Sequence, residues 1–230
     1  MCSGVEAKEL IKDSYTFDDL RQIMTLLRSE KGCPWDRAQT NASIRTNLIE
    51  ECYEAVEGID SHNDELLKEE LGDILLQILF HAQIAGEEGR FDLDDVINGI
   101  SKKLVSRHPH IFADQAVEGK ERALDKWEEM KKKEKKTTSL HEDMNRVAKT
   151  LPSLLRTQKL IKKAQKSGLY PCFEGECSRD ELITRYFELC AQANKMEINL
   201  EEEAYKENEE FICRISALEE LMKEDFNEDR

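Results

Sequence analysis

Glu50-Glu51-Cys52-Tyr53-Glu54 and, a short interval later, Glu70-Leu71-Gly72-Asp73-Ile74-Leu75-Leu76-Gln77-Ile78-Leu79-Phe80 decide how this chain folds. Both stretches sit in apolar segments of helical period, and residues three or four apart share a helix face. Glu51 therefore projects with Glu54, and Glu70 with Asp73. The interval holds a turn near Ser61-His62-Asn63-Asp64, so one helix ends there and a second runs back beside it. Four carboxylates then converge between two antiparallel helices. At 4 Å and an effective dielectric near 20, each like-charged pair costs about 4 kcal/mol. Protons or a divalent cation must neutralise such a cluster, and oxygen-only ligands suit Mg²⁺ or Mn²⁺.

Acidic residues at this spacing are also common on solvated helix faces, and 36% of the chain is charged. The second pair argues otherwise. Asp73 lies in a run apolar on nearly every side, which predicts a buried helix, and a buried carboxylate needs a partner. No lysine or arginine occurs between Lys68 and Arg90. Gly72, an unfavourable helix residue, predicts close approach of another group beside Asp73.

The chain has 230 residues and a formal net charge of −15, which argues against duplex nucleic acid or an anionic membrane as the main partner. Few prolines and glycines, with long stretches of Leu, Ile, Glu and Lys, predict an all-α protein. Seven scattered cysteines, an odd number, read as reduced thiols in a cytoplasmic protein. The N-terminus lacks an export-type apolar segment. The longest apolar run, Ile74 to Phe80, is broken by Gln77, so no membrane span is expected.

Thr16-x-x-Asp19 predicts a capping box ahead of a helix with Phe17, Leu20, Ile23, Met24 and Leu27 apolar. Lys31 to Asp36 reads as a loop. A second helix from about Ser43 should turn Leu48, Ile49, Cys52, Val56 and Ile59 inward. The third runs from about Asp64 to Gly86, and Asp92 or Asp94 caps a fourth that ends before Pro109. Four helices with short connections predict a bundle, and residues 1–115 read as its domain. Residues 116–150 form a charged helix and linker, with Thr137 to Asn145 flexible. Residues 151–230 are a second helical region. It faintly repeats the first: Phe91-Asp-Leu-Asp-Asp-Val96 with Lys103-Leu-Val-Ser-Arg107 echoes Ile198-Asn-Leu-Glu-Glu-Glu203 with Glu210-Phe-Ile-Cys-Arg214. Glu181-Leu-Ile-Thr184 stands where Glu70-Leu-Gly-Asp73 would be, with the aspartate lost.

These residues together resemble the MazG-type nucleoside triphosphate pyrophosphohydrolases. The pieces are Gly32-Cys-Pro-Trp-Asp36 with Gln39-Thr40, the two acidic groups with Leu76-Gln77, Phe80-His81-Ala82, Ser106-Arg-His-Pro-His-Ile-Phe112, and Trp127-Glu-x-x-Lys131. The resemblance covers residues 16 to about 170 and is specific because so many pieces occur in one order. It implies an all-α, MazG-like four-helix bundle, a homodimer, and Mg²⁺-dependent cleavage of a nucleoside triphosphate between the α and β phosphates. Mn²⁺ is a possible substitute. The products would be a nucleoside monophosphate and pyrophosphate. The longer, tandem-domain form fits best, with an eroded second domain in 151–230.

By resemblance, Glu51, Glu54, Glu70 and Asp73 ligate the metal. Glu50 points about 100° away from Glu51 and either orients the attacking water or is a solvated glutamate. Lys103 and Arg107, one turn apart, clamp phosphates. Trp127 either stacks on a base, with Lys131 one turn on, or anchors an amphipathic helix. His81 is expected to be a hydrogen-bonded core histidine. A di-iron carboxylate bundle would need Glu-x-x-His, and none of the five histidines has a glutamate three residues before it. A non-catalytic nucleotide-binding dimer is the alternative reading.

Overall fold

A computed structural model describes residues 7–113, 139–172 and 175–228, together with residues 119, 122, 126, 127, 130 and 134. Every extended element among them is helical and no strand occurs among the described residues, so the fold is all-α. None of these helices is long and apolar enough to cross a membrane. The chain divides into two compact units, residues 1–119 and 120–230.

In the first unit, α1 (Phe17–Leu27) starts at the anticipated capping box, with Thr16 accepting from the Asp19 amide and Asp19 accepting from that of Thr16. Lys12 lies 2.5 Å from Asp19 and, with the Thr16 bonds, holds its carboxyl down at about 2. The expected loop at Lys31 to Asp36 is partly a short helix, α2 (Pro34–Ala38), which Pro34 can open because the first helical position needs no N–H. The two acidic stretches fall on α3 (Arg45–Asp60) and α4 (Asp64–Glu87). Three residues join them; His62 takes φ +53°, and the Asn63 side chain caps α4. α5 (Leu93–Arg107) is capped by Asp92 and Asp95, and α6 (Pro109–Phe112) follows. Met24, Ile44, Leu79, Phe80, Ala82, Ile84 and Leu93 form the core. It lies against the second half of α4, leaving the first half to the seam with α3.

Burial differs from expectation along that seam. Ile49, Cys52, Val56 and Ile59 are exposed, and the buried residues of α3 are Ala55 and Gly58. Small residues let two backbones approach closely: a Cβ at Gly58 would sit 2.8 Å from the Leu67 amide nitrogen. Gly72 plays no such part, since a Cβ there would meet nothing within 4 Å. Leu71 and Ile78 are also exposed, so α4 is not buried all round within one chain. On α5, Val96, Ile100, Leu104 and Val105 are likewise uncovered.

In the second unit, α7 (Leu140–Asn145) falls where a flexible stretch was expected. Its start is tied down: the Leu140 amide donates to Glu219, and His141 Nδ1 lies 2.6 Å from Ser216 Oγ. α8 (Ser153–Lys166), α9 (Arg179–Lys195) and α10 (Leu200–Glu228) follow. Met144, Leu160, Ala164, Ile212 and Ile215 make this unit's core. Of the expected charged helix in 116–150, the described positions Arg122, Lys126, Trp127, Met130 and Glu134 are helical.

Arg156 is wholly buried in the second unit, 2.6 Å from Glu209, which also bonds Lys149. Lys149 first and Arg156 next hold the Glu209 carboxyl below its usual range. Removing Glu209 strands a wholly buried guanidinium, whereas removing Arg156 leaves Glu209 partly solvated and still paired with Lys149. Glu209→Gln should therefore destabilise the protein by about 2–3 kcal/mol, and Arg156→Met by under about 1 kcal/mol. Urea unfolding of both variants reads the contrast, and equal losses would count against this account.

Candidate metal centre

The α3–α4 seam assembles the acids because the two helices run antiparallel in a fixed register. Gly58 packs on Leu67 at one end, and Asn41 meets His81 at the other. Between these points one carboxylate oxygen each from Glu51, Glu70 and Asp73 lie within 4.8 Å of one another. Glu70 is buried, and Glu51 and Asp73 are half-buried. Glu54 is more exposed, and its charge bears on both Glu51 and Glu70.

Electrostatics follows from this geometry. Desolvation raises the Glu51 pKa, and the charges of Asp73 and Glu54 raise it further. Desolvation also raises Glu70, followed by the charges of Glu54 and Glu51. Among the described residues, no lysine or arginine forms an ion pair with any of the four. Clustered hard oxygen donors lacking an internal counter-charge are a donor set that fits a divalent cation.

The other anticipated residues are placed less centrally. Glu50 is exposed beside Glu51, and its charge adds to the repulsion there. Lys103 and Arg107 lie one turn apart on α5, the first exposed and the second half-buried. The charges acting most strongly on Glu51 and Glu70 are other carboxylates, not these two cations. Trp127 is half-buried and belongs to the second unit. Lys131 lies outside the described residues.

His81 proves hydrogen-bonded, as its position suggested. With the Asn41 amide oriented to satisfy both its atoms, its nitrogen donates to His81 Nδ1 at 2.8 Å and to the His81 carbonyl at 3.3 Å. The Asn41 oxygen accepts from Arg90. Burial lowers the His81 pKa, so the ring is neutral at pH 7 with its proton on Nε2. Sequence reasoning gave no role to Gln77, which is buried one turn beyond Asp73. Its signal was available: it is the single polar residue of the run Ile74 to Phe80, and it falls four residues after Asp73.

Comparison with known proteins points to one family. Residues 39–112 match the family model described as the MazG nucleotide pyrophosphohydrolase domain. A nucleoside triphosphate pyrophosphohydrolase/pyrophosphatase MazG from Thermotoga maritima is 36% identical over 227 residues, 91% of this chain and 88% of that protein. A nucleoside triphosphate pyrophosphohydrolase from Escherichia coli is 43% identical over 152 residues, 66% of this chain and 58% of that one. The uncharacterised protein YabN of Bacillus subtilis is 49% identical over 64% of this chain, which spans only 30% of YabN. With a matching domain across the acidic seam and a relative aligned along nearly its whole length, this chain belongs to the MazG nucleotide pyrophosphohydrolase family.

Proposed function

We propose that this chain hydrolyses nucleoside triphosphates between the α and β phosphates, releasing a nucleoside monophosphate and pyrophosphate, with Mg²⁺ as cofactor and Mn²⁺ as an alternative. The carrying observation is the close set of carboxylates on α3 and α4 with no described basic partner. Glu51, Glu70 and Asp73 would hold the metal, with Glu54 completing the set at its more exposed edge. When bound, the ion supplies charge neutralisation to the phosphate oxygens, which is most of what this reaction asks of a protein.

The chain's own residues do the rest. Glu50, solvent-facing next to the cluster, is assigned to orienting the attacking water. Lys103 and Arg107 present two cations from one face of α5, a spacing suited to a polyphosphate. Trp127 and Lys131 are assigned to the nucleoside. The acidic surface, at net charge −15, disfavours nucleic acid as a partner. Free cysteines at every described position fit a cytoplasmic protein. Exposed apolar side chains of α3 and α5, among them Ile49, Tyr53, Val56, Ile100 and Leu104, support a homodimer that covers them.

Residues 151–230 are read as a degenerate second MazG-like region. α10 begins at Leu200, with Asn199 at its start accepting from the Glu201 amide, much as Asp92 accepts at the start of α5. Glu181, at the place of Glu70, is spent differently: its carboxylate takes hydrogen bonds from the Ser178 amide and hydroxyl. An acid used as a helix cap, with Thr184 where Asp73 would be, leaves no metal set there. Catalysis is assigned to the first unit.

Phosphorus-31 NMR of reactions with a panel of NTPs and dNTPs tests the proposal. Monophosphate and pyrophosphate should form with Mg²⁺ and not with EDTA. Orthophosphate as the first product would refute α–β cleavage, and nucleotide binding without products would favour a binding protein.

A further inference from the structure

Beyond the carboxylates, the α3–α4 seam continues as a polar strip that hydrolysis does not use. On α4, Glu70, Asp73, Gln77 and His81 follow at intervals of three, four and four residues. At 100° per residue they fall within an arc of about 80° on one face. Glu54, Glu51 and Asn47 follow at the matching intervals along α3, and Asn41 precedes that helix. The register fixed by Gly58 with Leu67 and by Asn41 with His81 sets Asn47 level with Gln77.

Two atoms of this strip are out of balance. Gln77 is 6% exposed, and its Oε1 is buried with no hydrogen-bond partner. His81 Nε2 is buried and equally without one. Such atoms are rare in folded proteins, because each gives up hydration and receives nothing in return. Since Asn41 donates to Nδ1, the ring proton belongs on Nε2. The strip thus offers one acceptor and one donor on side chains a single helical turn apart, a spacing at which two side chains can meet one small group.

An alcohol uses both: its O–H donates to Gln77 Oε1 while its oxygen accepts from His81 Nε2–H. A phosphate oxygen, which only accepts, would be repelled by the amide oxygen. Position agrees with chemistry. Gln77 lies about 6 Å along the helix from Asp73, and in a nucleotide held by its phosphates at the carboxylates the next group along is the sugar. We propose that Gln77 and His81 bind a sugar hydroxyl of the substrate and thereby set the preference among ribo- and deoxyribonucleotides. This rests on the hydrolase reading above.

The test is kcat/KM for wild type and Gln77→Leu with one base as its ribo-, 2′-deoxy- and 3′-deoxynucleoside triphosphate. Wild type should favour the substrate bearing the bound hydroxyl by about 10- to 100-fold over the analogue lacking it. Gln77→Leu should bring that ratio to within about threefold, a change that a merely structural role would not produce. If Gln77→Leu fails to fold by circular dichroism, Gln77→Met, of similar length, replaces it. A wild type indifferent to both hydroxyls, or a ratio unchanged in a folded variant, overturns this inference and leaves the hydrolase reading standing. A wild type inert toward every nucleotide overturns the hydrolase reading and this inference with it.

Discussion

Asp73→Asn and Glu70→Gln each lower kcat/KM for nucleoside triphosphates by about 10³-fold or more, while the helical circular dichroism spectrum stays unchanged. The magnitude follows from the reaction. A bound divalent ion supplies several kcal/mol of charge stabilisation, and each 1.36 kcal/mol is tenfold in rate. Neutralising one of three carboxylates that lie within 4.8 Å of each other removes a ligand and a charge together. Glu54→Gln, outside that closest group, loses less, about 10- to 100-fold, through weakened metal affinity. Stability moves in the opposite direction to activity. Glu70 is buried among Glu54, Glu51 and Asp73, and these neighbours raise its pKa. Without metal, Glu70→Gln therefore melts at a higher temperature than wild type, because the repulsion is relieved. A variant that lost activity by misfolding would melt lower. Retention of more than a tenth of wild-type activity in both Asp73→Asn and Glu70→Gln would sink the metal assignment.

How much of this was legible from the residues depends on what each signal measures. The starts of α1 and α5 were, because caps are local chemistry: Thr16 with Asp19, and Asp92, act within four residues of chain. The convergence of Glu51, Glu70 and Asp73 was legible too, with Glu54 at its exposed edge, since a three-residue turn leaves two helices little choice but to run antiparallel. Inside and outside were not. Periodicity marks Ile49, Val56 and Ile59 as apolar, but it cannot say whether their cover comes from the same chain. The wrong glycine was chosen for the same reason: Gly58, not Gly72, stands where the facing backbone crosses. Gln77 and Asn41 acquire meaning only once the register is fixed, and register is a tertiary property. The stretch at Leu140 read as a flexible linker because its anchors, Ser216 and Glu219, lie more than seventy residues away.

Metal-free protein should lose stability as pH rises from the ordinary glutamate value of 4.5, and Mg²⁺ should restore it. Glu51 and Glu70 both have folded-state pKa values above 4.5. The folded chain thus holds their protons through a window where the unfolded chain has released them. Stability then falls as pH rises through that window. Below 4.5 the sign reverses, because Asp19, Glu87, Glu181, Glu209 and Glu219 all have lowered pKa values and lose favourable bonds on protonation. Half-buried, neutral His81, whose lowered pKa makes stability rise as pH approaches 6.5, opposes that fall, so the cluster's share is the part of the slope that Glu70→Gln removes. Metal competes with the cluster's protons, so Mg²⁺ should stabilise strongly at pH 8 and barely at pH 5. At a hundred times its dissociation constant, a ligand adds about 2.7 kcal/mol, which for a unit of this size is roughly 10 °C or more in Tm. Differential scanning fluorimetry across pH, with Mg²⁺ or EDTA, reads both effects in one experiment, and Glu70→Gln should flatten them together. A Mg²⁺ shift that persists undiminished at pH 5, or in Glu70→Gln, would place the bound ion somewhere other than between α3 and α4.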